Sequence, residues 1–238
     1  MKYFLTSILF DRIVDQDGNR LPCPMLKEFD LQKNIAECLP GRDKFVLIAN
    51  ETSNYIENDS KLVFYQKCLE MSNMGFKEYA VLDDRNTKQA KEILDGADLI
   101  LLTGGKCISQ NDYCHLINLK EITESSDAVM VGVSAGAMNM CDTVANFPEE
   151  LADIGQPLWL KGLGFYDKIL IPHFDGDRVE YQIPCDEIDI AHDHILPLSK
   201  HIELLAIPNF SYVMIKDGIT TIHGKYYEIN NGVITPHN

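Results

Sequence analysis

The sequence predicts an α/β fold: a doubly wound, mostly parallel sheet with helices on both faces and short antiparallel strands near the C-terminus. Three observations carry this expectation. Apolar runs rich in β-branched and aliphatic residues recur, and they are continuous rather than alternating, as strands covered on both faces should be. Helical stretches lie between them, which implies right-handed crossovers. The tail then changes character, with turn dipeptides between short β-rich runs.

The N-terminus, "MKYFLTSILFDRI" (1–13), superficially suggests a secretory leader. Thr6 and Ser7 interrupt it, Asp11 and Arg12 close it, and no small-residue cleavage site follows, so it reads as the first strand. The polar, Gly- and Pro-punctuated "DQDGNRLPCP" (15–24) is an excursion after it. Further strands are expected at "KFVLIAN", "EYAVLDD", "DLILLTGG", "AVMVGVSAGA", "KILIPHF" and "IELLAIP". Helices are expected in "SKLVFYQKCLEMSNMGF", with Gly75 as its stop, in "TKQAKEILDGA" and in "DYCHLINLKEITESS". The segment from Phe174 to Leu198, rich in Asp, His and Pro, reads as a helix with a loop bordering a site. Turns at Asp217-Gly218, His223-Gly224 and Asn231-Gly232 place antiparallel strands at one edge of the sheet. No linker or repeat divides the chain, so residues 1–238 are expected to form one domain.

Composition narrows the function. The chain has 238 residues and a formal charge of -15, which argues against nucleic acid and against an anionic membrane surface. No run approaches the roughly 18 apolar residues that spanning a bilayer requires. Seven cysteines without a C-x-x-C pair fit reduced thiols in a cytoplasm better than disulfides or a zinc site. No metal or cofactor is expected.

The chemistry concentrates in "GVSAGA", which matches G-x-S-x-G. A serine on a sharp strand-to-helix turn has its hydroxyl pushed outward, and small neighbours leave room for a substrate. The amide of Ala135 would then face the carbonyl oxygen under attack. The competing reading is a glycine-rich turn whose Ser134 merely caps a helix. Paired glycines at Gly104 and Gly105 end another strand and offer further backbone donors. A serine nucleophile needs a base, and His173 follows an apolar strand, on the serine's edge of the sheet if both strands are parallel. His192 and His194, flanking Asp193, read as a solvated loop.

Together "TGGKCISQ", "VGVSAGAMNMC" and "ILIPHFDGD" resemble the dipeptidase E and cyanophycinase family of serine peptidases. Its fold is similar to that of class I glutamine amidotransferases, with serine where those enzymes use cysteine. The resemblance implies that Ser134 is the nucleophile, that His173 is its base, and that amides around Gly104, Gly105 and Ala135 hold the oxyanion. The implied reaction is hydrolysis of short peptides, including dipeptides, through an acyl-enzyme. Two positions depart from the family. Lys106 stands where an Asn usually follows the glycines, adding a charge beside the cleft. The acid that orients the histidine is open: Glu149 or Glu150 lies at one family position, Asn209 occupies another without a charge, and Asp175 is a further candidate.

Two other readings follow from the same residues. An α/β-hydrolase esterase would order its triad as Ser134, Asp193 and His223. A ligand-binding homologue with weakened catalysis would explain Asn209 and Lys106. An edge strand in the tail could also pair two copies as a homodimer.

Overall fold

The structure, a computed structural model, describes residues 1–148, 155–156, 158–176, 178–180 and 189–238. Strands β1 (Lys2–Thr6), β2 (Lys44–Ile48), β3 (Glu78–Leu82), β4 (Leu99–Leu102) and β5 (Val129–Val133) form a parallel body in the order β1-β5-β4-β2-β3. Side chains alternate along each strand, so Phe45, Leu47, Leu99 and Leu101 bury on one face while Val46, Ile48, Ile100 and Leu102 bury on the other. That two-sided demand explains the continuous apolar runs. Helices α1 (Leu31–Cys38) and α2 (Tyr55–Met71) cover the first face through Leu31, Ile35, Cys68 and Leu69. Helices α3 (Ala90–Leu94), α4 (Cys107–Leu116), α5 (Leu119–Thr123) and α6 (Ala135–Asn139) lie over the second.

The helices differ from expectation at their ends, for local reasons. α2 starts at Tyr55 because the Asn54 side chain accepts from the Glu57 amide and donates to its carboxylate. It stops at Met71, before Gly75, where Ser72 bonds back to the Cys68 carbonyl and Asn73 turns left-handed. The stretch expected as one helix at 112–126 is two, broken at Asn118 with φ 53°.

After β5 the short strands β6 (Thr143–Ala145) and β7 (Trp159–Lys161) pair with each other. Next comes β8 (Ile169–Ile171), followed by a second small pair, β9 (Phe174–Asp175) with β10 (Arg178–Val179). The chain then runs through β11 (Leu204–Ala206), β12 (Tyr212–Lys216), β13 (Ile219–His223), β14 (Tyr226–Asn230) and β15 (Val233–His237). β12 and β13 extend the central sheet antiparallel beside β1, as the tail predicts. β8 and β11 do not join that sheet. They pair in parallel with each other in a separate four-stranded sheet, β15-β14-β11-β8, over a third cluster containing Phe174, Ile195 and Ile229. A buried apolar run looks the same in either sheet, which is why the sequence suggested otherwise.

The two sheets meet at their strand ends. The Ile207 carbonyl, just past β11, accepts from the Phe174 amide at 3.1 Å and from Ser7 Oγ, just past β1, at 3.1 Å. Close packing under the β5–α6 junction depends on glycine. A Cβ on Gly136 would collide with the Leu102 backbone carbonyl, and one on Gly132 would lie 2.7 Å from the Ala137 Cα. Neither clash can be relieved by rotating a side chain. Gly136→Ala should therefore destabilise the fold by about 1–3 kcal/mol, read as a lower midpoint in urea, whereas an unchanged midpoint would show that the junction has slack.

Candidate active site

Ser134 sits where β5 turns into α6, with φ 54° and ψ -118°, a conformation that L residues rarely adopt. The strain is held on both sides. Its amide donates to the Thr6 carbonyl at 2.9 Å, and its carbonyl accepts from Met138 in the first turn of α6. The hydroxyl makes no capping bond to that helix, which removes the capping reading. It points to His173 instead, with Oγ 2.8 Å from Nε2.

His173 follows β8 and is also left-handed, with φ 61°. Its amide donates to Ser7 Oγ at 2.9 Å, and its carbonyl accepts from the Glu180 amide at 2.6 Å. On the ring, Nδ1 lies 2.7 Å from Asn209 Oδ1, on the connection between β11 and β12. A carbonyl oxygen only accepts, so Nδ1 carries the hydrogen and Nε2 presents its lone pair to the serine O–H. Burial pushes the His173 pKa down to about 4, opposed by the Asn209 hydrogen bond. The imidazole is accordingly neutral at ordinary pH.

Ala135 is the first residue of α6, so its amide has no intrahelical acceptor. Gly104 lies against Ser134: a Cβ there would come within 3.1 Å of the serine Cβ. Gly105, with φ 126°, packs so closely on the Asn50 side chain that a Cβ would overlap it. Lys106 does not stand as a lone cation; its Nζ is 2.9 Å from Glu51 Oε1. Two cavities, of about 1240 Å³ and 750 Å³, flank the dyad, and Ser134 and His173 line both.

The remaining candidates fall elsewhere. Glu149 and Glu150 lie outside the described residues. Asp175 is engaged by Tyr227 Oη and Lys225 Nζ, which hold its carboxyl below the usual range. His223 stacks on the Tyr212 ring at 4.6 Å, and Asp193 bonds the Asp189 amide, so the Ser134–Asp193–His223 order has no geometric support. Two contributors were missed by sequence reasoning. Ser7 was read only as part of a strand, and Glu180, whose backbone N–H donates to the His173 carbonyl and whose carboxyl is pushed above its ordinary pKa by burial, carried no motif.

Comparison with known proteins places the chain in a family. The model of Peptidase family S51 matches residues 28–222, well over half of the chain. Among solved structures, a candidate peptidase E from Listeria monocytogenes EGD-e is similar at TM-score 0.60 and 16% identity, covering 93% of this chain and 96% of that one. That likeness speaks for the fold. A search of curated proteins finds no match. With the family matched along most of its length, the chain belongs to Peptidase family S51 and is a serine-type peptidase.

Proposed function

We propose that the protein hydrolyses short peptides, dipeptides among them, by acyl transfer at Ser134, with His173 as general base and Asn209 as the group that orients it. The observation that carries this reading is the continuous relay Ser134 Oγ, His173 Nε2, His173 Nδ1, Asn209 Oδ1, with gaps of 2.8 Å and 2.7 Å. Nε2 takes the hydroxyl proton as Oγ attacks the peptide carbonyl. The resulting imidazolium returns that proton to the leaving amine, and the cycle repeats with water on the acyl-enzyme. The Ala135 amide and an amide of the Gly104–Gly105 pair serve as oxyanion donors. The substrate lies across the two lobes that meet at Ser134, with Lys106 and its partner Glu51 beside the larger one.

A cytoplasmic setting goes with this reading. The six cysteines among the described residues are buried and unbridged, as expected of reduced thiols, and no described helix is long and apolar enough to cross a membrane.

Ser134→Ala should lower kcat on a dipeptide panel by at least roughly 10³-fold and abolish labelling by a fluorophosphonate; equal hydrolysis by parent and variant would sink the assignment.

The pH dependence gives a second test. The neutral imidazole is the working form, and its pKa is lowered, so activity should persist as pH falls and be lost only near pH 4. Asn209→Asp places a carboxylate beside the ring, favours the imidazolium, and should move the acid limb of kcat/KM upward. If the limb stays in place in that variant, Asn209 does not orient the base.

A further inference from the structure

Behind the nucleophile lies a buried network of side-chain amides that the proposed reaction does not use directly. Asn139 ends α6 and is 0% exposed. Its Nδ2 donates to the Cys107 carbonyl at 3.1 Å and to Gln110 Oε1 at 3.2 Å. Its Oδ1 accepts from Asn111 Nδ2 at 3.2 Å and from the Cys107 thiol at 3.3 Å. Both donors and both acceptors are thus engaged, and every partner lies on α4. Gln110, also 0% exposed, passes the connection on: its Nε2 donates to the Thr103 carbonyl at 3.0 Å and to the Ile48 carbonyl at 3.3 Å.

The Thr103 carbonyl is the group that matters. It shares a planar trans peptide with the Gly104 N–H, and the two point in opposite directions. Holding that oxygen therefore fixes the direction of the first amide of the glycine loop. At the other end of the network, Asn139 anchors the helix that begins with Ser134 and Ala135. Amide groups in this low-dielectric layer are costly to leave unpaired, so the arrangement resists sliding of α6 against α4.

We infer that Gln110 and Asn139 are positioning residues for the oxyanion hole, setting the distance between the Ala135 amide and the amides of the Gly104–Gly105 pair. The inference rests on Ser134 being the nucleophile. It requires that loss of the network lower turnover without weakening substrate binding, because an oxyanion forms only on the way to the transition state.

The variant to test is Gln110→Met, similar in length but without the amide. Its kcat should fall about 10- to 100-fold, as for a displaced oxyanion donor, with KM within about threefold of the parent. Affinity for a peptide aldehyde should fall in step with kcat/KM, and the acid limb of the pH profile should not move, since the His173–Asn209 pair is untouched. Adding Asn139→Leu should cost little more than either change alone, because the two residues act as one unit. A folded Gln110→Met enzyme with kcat within about twofold of the parent overturns the inference, as does loss confined to KM. If the variant does not fold, the parent with bound aldehyde decides: its hemiacetal oxygen must lie within about 3.2 Å of the Ala135 nitrogen and of the nitrogen of Gly104 or Gly105, and any other placement overturns the inference. Full activity in Ser134→Ala would remove the underlying site reading, whereas Ser134-dependent activity with an indifferent Gln110→Met removes only the positioning role.

Discussion

The 2.8 Å hydrogen bond between Ser134 Oγ and His173 Nε2 joins two sheets that share no hydrogen-bonded ladder. The serine rides on β5 in the central sheet, and the histidine leaves β8 in the smaller one. Their meeting depends on how the strand ends are tied, and Ser7 is the principal tie. Its hydroxyl accepts the His173 amide hydrogen and donates to the Ile207 carbonyl, so one atom just past β1 ties the carboxyl ends of both β8 and β11. Ser134 itself hangs from the preceding residue of that strand through the Thr6 carbonyl. The end of β1 thus positions the proposed nucleophile and base together. Two consecutive residues, the last of β1 and the one after it, do for this site what a separate scaffold would otherwise have to do.

This tying keeps two residues left-handed, Ser134 and His173, without glycine at either position. Such conformations persist only where surrounding contacts over-determine them. Here each has its amide bonded to the end of β1 or the residue just past it, and its carbonyl bonded a few residues on, in the first turn of α6 for Ser134 and at Glu180 for His173. The strain lifts the hydroxyl away from the helix it precedes and turns the imidazole toward it. Small residues complete the geometry: Gly132 and Gly136 let α6 pack against β4 and β5, and Gly104 lets the neighbouring loop approach the serine.

How much of this was legible in the sequence varies by element. The parallel body was legible because residues buried on two faces give unbroken apolar runs, and part of the tail because Asp217-Gly218 and Asn231-Gly232 mark hairpins, whereas His223-Gly224 carries the chain from one sheet to the other. Ser134 and His173 were legible as motif residues, yet the reason given for their proximity, one shared sheet, was not the one the structure uses. β8 and β11 are parallel and buried wherever they pair, so their sequence carries no record of which sheet they join. Asn209 was one of several alternatives because a neutral amide lacks the signature of a catalytic acid. Ser7 was out of reach: its role is a hydroxyl bond to a backbone amide 166 residues away, and no local pattern encodes that. Gln110, Asn111 and Asn139 were hidden for a related reason, since buried amides that satisfy one another look like ordinary helix residues until the helices are packed.

The neutral partner on His173 ties these observations together energetically. A carboxylate at the half-buried Asn209 position would stabilise an imidazolium but would also bring in a charge that burial makes costly unless it is fully bonded. The amide avoids that cost and still selects the tautomer that leaves Nε2 free to take a proton. Burial, only partly offset by the Asn209 hydrogen bond, leaves the ring a weak base. Lowering the ring from its ordinary 6.5 to about 4 corresponds to roughly 3 kcal/mol against the imidazolium that the proposed mechanism forms as the serine attacks. Chemistry that runs through that ion pair needs correspondingly more stabilisation of its other half, the developing oxyanion. Fixed backbone donors supply such stabilisation best when they need not reorganise, and the fully satisfied amide network between α4 and α6 is the part of this fold built to hold them still. In the proposed mechanism a weak base and a rigid oxyanion cradle are therefore two sides of one arrangement: the less charge is buried beside His173, the more exactingly the glycine loop has to be placed.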